Sequence, residues 1–389
     1  MNILFYMHKY PSYGGIENVT TYLANYFVSK GHGVQIYSFV GVDFELLLSK
    51  LDNKVKFTQA HDSDNYCSQK NYEQLKQIVR ERKIDFIIFQ DSYAFVDKLL
   101  WNLKRDIPTL KIITVEHNTP NAFLKALRYE IPLSRMERIK RKFFYPYFYF
   151  KISLLIKRRH CRIYHESDKY VLLTSKFSSV FAQISGISKA EKLIAINNPI
   201  TIEIPSSVDW DKKQKICLFP ARLVSQKGID YLMSVWAKIE KVKTDWELVI
   251  VGDGPERSKI DKFIEVKNLQ HVRLEGFKSD MKPYYGEASI LIATSIYEGW
   301  PLTLSESMAY GCIPVIFNSY LAASEIVDDG NTGFLVPPFD VDVFAQKLLF
   351  LMDNSSKRMF MAQTAVDTSG KYKIENVGEK WLTLFNCFK

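Results

Sequence analysis

No apolar run in this sequence approaches the ~18 uninterrupted residues that a membrane span requires, so the expectation is a chain that does not cross a bilayer. The opening stretch, residues 1–7, is apolar but short, lacks a basic lead and runs into His8, Lys9 and a Gly-Gly turn. It reads as a buried strand rather than a signal peptide, which points to the cytoplasm. Metal-ligand and disulfide spacings are missing too. The five cysteines, Cys67, Cys161, Cys217, Cys312 and Cys387, form no CxxC pair, the pattern of free thiols in a reducing compartment. A Gly-x-Gly-x-x-Gly after the first strand would mark a dinucleotide oxidoreductase. The turn here reads Tyr13-Gly-Gly-Ile-Glu-Asn18, with adjacent glycines and no third, and that class is disfavoured. Internal repeats and low-complexity tracts are absent as well.

What is present is enough apolar material for two cores. The chain has 389 residues, 47% hydrophobic and 24% charged, which are globular proportions at a length that favours two domains. Short runs rich in Val, Ile and Phe alternate with longer segments of helical period, the signature of parallel α/β units. Candidate strands lie at 3–7, 34–39, 84–89, 112–115 and 171–174, then at 216–219, 247–251, 271–275, 290–293 and 313–317. Between the first two, Val19, Leu23, Tyr26 and Phe27 share one helix face and Gly31 follows as a stop. Helical segments are also expected at 229–242 and 256–266, and 198–215, with two prolines and no period, reads as the interdomain linker. Tandem parallel domains of this kind hold ligands at the carboxyl ends of their strands.

Charge is concentrated in one place. Between Lys125 and His160 stand eleven Lys and Arg against Glu130 and Glu137, a local excess that equals the formal +9 of the whole chain. Within it, Lys140-Arg141-Lys142 and Lys157-Arg158-Arg159 bracket an aromatic and aliphatic block that opens with Phe143 and Phe144, and Pro146 is expected to break helical continuity. Aromatic anchors flanked by cations suit the surface of an anionic membrane. A solvated basic face on a pair of core helices is the plainer alternative, and a protein partner a third. Nucleic acid is not expected, because no recognition motif accompanies the charge.

Two segments carry chemistry. In the first, a buried strand ends near Thr294, a loop bears Glu298 and Gly299, Pro301 stands where a helix can begin, and Gly311 closes that helix. The loop amides and the helix dipole form an anion site suited to a diphosphate, and Glu306, further along, could accept two hydrogen bonds from ribose hydroxyls. Acids are favoured near any helix start, so both could be ordinary. In the second segment, Arg222 and Lys227 lie in one strand-to-helix loop ending at Gly228. Two cations there could neutralise a diphosphate and the charge that grows as it leaves, or could be unrelated residues of a solvated turn. Asp340-Val-Asp342 has the Asp-x-Asp look of a metal-dependent transferase, but it opens a helical stretch after Pro337-Pro338 and is read as a helix cap.

The two glutamates with seven residues between them, the Arg-Leu-Val-Ser-Gln-Lys-Gly loop from Arg222 to Gly228, and Val251-Gly-Asp-Gly-Pro255 resemble, in order and spacing, the retaining "group 1" glycosyltransferases of GT-B fold over residues 216–338. Tyr13-Gly-Gly-Ile-Glu17 and Val115-Glu-His-Asn118 extend the likeness more loosely into the first half. The resemblance implies an α/β, GT-B chain with two Rossmann-like domains facing across a cleft: an acceptor-binding domain at 1–200, a donor-binding domain at 201–370, and a last helix at 371–389 returning to the first. It implies that Arg222 and Lys227 bind the donor diphosphate and that Glu298 contacts the sugar hydroxyls. The amides of Gly299, Leu302 and Thr303 would lie near sugar and phosphate, and Glu306 would hold the ribose. Gly15 would let the first loop approach the phosphates, Gly252 would lie beside the nucleoside, and His117 would stand near the anomeric carbon. Trp300 departs from the family pattern and is expected to shape the sugar pocket; Glu116 receives no role.

The activity so implied is metal-independent and cofactor-free: retaining transfer from a nucleotide sugar, with UDP expected, to a glycan or lipid-linked acceptor. Assembly of a bacterial surface polysaccharide is the implied setting, and peripheral attachment to the inner face of the membrane the implied location. A nucleotide-sugar epimerase on the same fold, or a non-catalytic relative that docks on membranes, are the alternatives.

Overall fold

In the computed structural model the described residues are all but 42–44, 46–48, 91–95, 131–134, 188–189 and 389, and the side chains of 135 and 137–139 also lie outside them. The strands are β1 (Asn2–Lys9), β2 (Gly33–Val40), β3 (Lys56–Gln59), β4 (Phe86–Phe89), β5 (Lys111–Glu116), β6 (Lys169–Leu172) and β7 (Leu193–Ala195), followed by β8 (Gln214–Pro220), β9 (Glu247–Val251), β10 (Val272–Gly276), β11 (Ala288–Ala293), β12 (Ile313–Phe317) and β13 (Phe334–Val336). The helices are α1 (Gly15–Ser29), α2 (Gln69–Glu81), α3 (Asp97–Asp106), α4 (Ala122–Tyr129), α5 (Arg135–Glu166), α6 (Phe177–Ser185), α7 (Ile229–Ile239), α8 (Arg257–Lys267), α9 (Lys282–Glu287), α10 (Leu302–Ala309), α11 (Ala323–Ile326), α12 (Val341–Asp353), α13 (Ser355–Ser369) and α14 (Ile374–Asn386).

The chain divides into two units. One comprises Met1–Asn121, Ser153–Thr201 and Lys373–Lys389, the other Ala122–Ile152 and Ile202–Tyr372. The first holds a seven-stranded parallel sheet in the order β3-β2-β1-β4-β5-β6-β7. The second holds a six-stranded parallel sheet in the order β10-β9-β8-β11-β12-β13. Central strands such as Ile3-Leu-Phe-Tyr-Met7 and Phe86-Ile-Ile-Phe89 are apolar throughout and buried, because helices cover both faces of a parallel sheet. In the second unit Trp236, Trp246, Leu248, Ile290, Ile313, Phe317 and Leu348 join one continuous core.

Three edge strands, β3, β7 and β13, escape a reading of apolar runs: β3 is largely polar, and the apolar β7 and β13 are only three residues long, too short to stand out. Helical continuity breaks beside Pro146, as expected: α5 is two helical segments joined across a kink at Phe144 (φ −111°, ψ 21°), because the proline's missing amide and its ring disturb the turn before it. The stretch 122–152, inside the expected first domain, groups with the second unit, and α14 packs on α1 in the first.

Candidate functional site

In the second sheet the strand order reverses at β8, which is flanked by β9 and β11. Ligands of open α/β sheets bind at such a switch point, outside the carboxyl ends of the strands. The loop after β8 carries Arg222 and Lys227, and the loop after β11 carries Glu298, so both segments singled out in the sequence emerge side by side.

The two loops are stitched together. Thr294 Oγ1 donates to the carbonyls of Lys227 (2.9 Å) and Gly228 (3.1 Å), Ile296 N donates to Gln226 O (2.8 Å), and Gln226 Nε2 donates to Tyr297 O (2.9 Å). Gly228 has a φ of +67°, and a Cβ there would lie 2.1 Å from Thr294 O, so only glycine permits this approach. The result is a direct ion pair: Lys227 Nζ donates to Glu298 Oε1 at 2.5 Å, with Glu298 buried. Arg222 is exposed, and its guanidinium makes no hydrogen bond or ion pair among the described residues. Its positive charge nevertheless acts on Tyr297.

Gly299 and Trp300 are buried, and α10 then begins behind Pro301 with no side chain capping its first amides. Leu302 and Thr303 form its first turn, half-buried. Those uncapped amides and the positive end of the helix dipole suit an anion. Glu306, in the second turn, is buried and accepts from Tyr285 Oη at 3.2 Å. Gly252 follows β9 with a φ of +144°, and a Cβ there would fall 1.9 Å from Ala221 O. Leu223 N donates to Asp253 O (2.8 Å) and Glu256 N to Leu223 O (2.9 Å), so the 252–256 loop buttresses the Arg222 loop from its other side. Asp340 caps α12 by accepting from Val343 N at 2.9 Å, and Asp342 pairs with Lys238 at 2.8 Å; the Asp-x-Asp look is helix-end chemistry. Among the described residues no group of three or more His, Cys, Asp or Glu is arranged to hold a metal ion.

Sequence reasoning missed several members of this neighbourhood, because nothing in their spacing marks them. Tyr297 donates to the Glu130 carboxylate, and α4 packs against the 225–227 turn. The segment 122–152 therefore reaches the cation loop. Tyr320, just beyond β12, is buried and feels the Glu298 charge.

In the first unit, His117 follows β5 and its Nε2 lies 2.6 Å from Gln90 Oε1 beyond β4. Its Nδ1 is enclosed without a partner among the described residues, and burial pushes the imidazole down to about 3, so it is neutral. Gly15 is exposed at the first position of α1, and the Glu17 carboxylate folds back over neighbouring Gly14. Glu116 is fully buried, accepting from Tyr170 Oη at 2.8 Å; His160 stands 3.2 Å from that hydroxyl and 3.0 Å from Pro120 O.

Helix α5 exposes its apolar residues. Phe143 is 72% and Phe150 69% exposed, and Phe144, Tyr147 and Leu155 are exposed as well. Beyond the kink at Phe144, Tyr147 and Phe150 are spaced to share one exposed face. Lys140, Lys142, Lys151 and Arg158 are solvated beside them. Arg141 is not part of that surface: it donates to the carbonyls of Glu130 and Ala126, both at 2.5 Å, and ties down the end of α4. Arg159 is half-buried near Tyr170. The side chains of Arg135 and Arg138 lie outside the described residues.

Twin parallel sheets, the second with its strand order reversing at β8, define a doubly wound α/β protein. Residues 201–367 match the family described as Glycosyl transferases group 1, and residues 13–203 match Glycosyltransferase Family 4. The chain is a glycosyltransferase, its second half of the group 1 family. It is 26% identical over 382 residues, 97% of this chain and 98% of the relative, to an uncharacterized glycosyltransferase of Haemophilus influenzae. It is 28% identical over 235 residues to the poly(ribitol-phosphate) alpha-N-acetylglucosaminyltransferase of Staphylococcus aureus, a match spanning 57% of this chain and less than half, 47%, of that protein. Among solved structures it resembles S. aureus TarM in complex with UDP (TM-score 0.77, 16% identity, 99% of this chain and 100% of that one). It also resembles Anabaena HepE in complex with UDP (TM-score 0.75, 17% identity, both chains covered in full). These likenesses establish the GT-B fold.

Proposed function

We propose that this glycosyltransferase takes a sugar from a UDP-sugar, with retention at the anomeric carbon, and adds it to a glycan or lipid-linked acceptor during polysaccharide synthesis. The observation that carries the reading is the meeting of the Arg222/Lys227 turn, Glu298 and the uncapped start of α10 at one switch point. A pyrophosphate would draw the Lys227 ammonium from Glu298 and release that carboxylate for sugar hydroxyls, while the α10 amides and Arg222 meet phosphate oxygens. Glu306 would hold the ribose. Relatives named for polyol-phosphate and amylovoran products support the polysaccharide setting. Two of those names specify α-linked transfer, and from an α-linked nucleotide sugar an α product is retention.

Incubation with UDP-, GDP- and ADP-sugars and a membrane extract tests this. Nucleotide release that depends on the extract is the expected result. An isomerised donor would instead make the protein an epimerase, and silence would make it a non-catalytic relative.

The exposed aromatic face of α5 supports docking on an anionic membrane. Each nearby cation contributes about 1 kcal/mol at such a surface, and the aromatic rings suit the headgroup level. Co-sedimentation should favour anionic over neutral vesicles, and Phe143→Ser with Phe150→Ser should weaken it. Equal binding to both vesicle types at low salt removes the membrane from the reading.

A further inference from the structure

Two polar groups in the second unit are buried without a partner among the described residues: the indole Nε1–H of Trp300, 5% exposed, and the hydroxyl of Tyr320, 4% exposed. Buried donors of this kind are rare in native proteins, because leaving one unbonded forfeits its hydration without return. Both belong to the neighbourhood of Glu298. Trp300 is two residues beyond it, and its ring is fixed edge-on against Tyr372 at 5.3 Å, which in turn donates to Glu325 O at 3.0 Å. Tyr320 lies in the β12–α11 connection, whose Ser319 Oγ donates to Ser295 O at 2.6 Å and so anchors it to the Glu298 loop. The Tyr320 hydroxyl feels the Glu298 charge yet has no hydrogen-bond partner among the described residues.

The geometry points to Trp300 and Tyr320 as hydrogen-bond donors to the transferred sugar, which would make them determinants of which sugar is accepted. The chemistry selects a neutral hydroxylated ligand. An indole N–H can only donate, so it meets a hydroxyl or amide oxygen; a phenol can both donate and accept. Sites that hydrogen-bond a substrate hydroxyl discriminate strongly against analogues lacking it, since the buried group is then left unpaired. The assignment rests on the donor site proposed above.

The test compares calorimetric affinities for UDP with those for UDP-glucose, UDP-galactose and UDP-N-acetylglucosamine in the wild-type chain, Tyr320→Phe and Trp300→Phe. Each variant should keep its affinity for UDP while losing roughly five- to tenfold for the preferred UDP-sugar, the size of one hydrogen bond. Tyr320→Phe should also melt no lower than the wild type, because it deletes an unbonded buried group; a structural role would lower the melting point instead. An unchanged ratio of UDP-sugar to UDP affinity in Tyr320→Phe overturns the assignment of Tyr320, and in Trp300→Phe that of Trp300. A wild-type chain that binds neither UDP nor any of the sugars defeats the underlying donor site, and this assignment with it.

Discussion

Lys227 and Glu298 are each other's counter-charge, so neither can be changed alone without exposing the other. Lys227→Ala leaves a mostly buried carboxylate without its cation, a cost of about 1–3 kcal/mol, and should lower kcat/KM about 100-fold or more. A retained far-UV circular dichroism spectrum with lost turnover is the expected pair of results, and Glu298→Ala should match it. Near-normal activity in either would remove both from the site. The pairing also shows where sequence reading stops at this scale. The types and spacing of Arg222, Lys227, Glu298 and Glu306 mark them in the sequence as candidates for an anion site, but that two loops some 70 positions apart bond directly is a fact of strand order. Tyr285, Tyr297 and Tyr320 carry no spacing signal at all. His117 titrates at about 3 in the folded chain against about 6.5 unfolded. Its contribution to stability is complete above pH 6.5 and falls as pH drops toward 3, because the unfolded chain takes up the proton first. His117→Gln should therefore lose less thermal stability than wild type between pH 6.5 and pH 4, measured by scanning calorimetry.

At the scale of elements, the loops after β8 and β9 act as one rigid body. Gly252 and Gly254 let the second loop pass against Ala221 O and Leu223 O, and their left-handed φ values leave no room for a side chain. Gly252→Ala should cost at least ~2 kcal/mol, combining backbone strain with a clash. The measured outcome is a lower denaturant midpoint with weakened nucleotide binding. Asp340→Ala should cost about 1 kcal/mol by uncapping α12 and leave turnover alone, which separates a capping aspartate from a metal ligand. Helix α5 carries the opposite lesson. Composition marks it as basic and aromatic, but whether Phe143 and Phe150 enter a core depends on what packs beside them. The structure turns them outward and uses Arg141 to hold α4.

The whole molecule is two parallel sheets through which the chain passes four times, at 121/122, 152/153, 201/202 and 372/373. The last passage returns α14 to the first unit, where Gly378 lies against Tyr26, Tyr26 donates to Glu379 at 2.6 Å, and Phe385 packs on Phe27 and Phe86. Each of its buried side chains, among them Trp381 and Phe385, contributes about 1.5–3 kcal/mol. A chain ending at Tyr372 should therefore melt well below the full-length protein, with the early loss falling on the first unit's signal in proteolysis. A truncated chain of unchanged stability would contradict the packing of α14.

The amino-acid sequence alone determined the α/β class, the central strands, a crossing between units near residue 200 and the residue types of the candidate site. Apolar periodicity, helix caps and charge spacing are local properties, and they survive without a fold. Only the tertiary structure decided the edge strands, the grouping of 122–152 with the second unit, the Lys227–Glu298 bond and the burial of Trp300 and Tyr320. Those depend on which strand lies beside which, and contacts between distant positions leave no periodic trace in one chain.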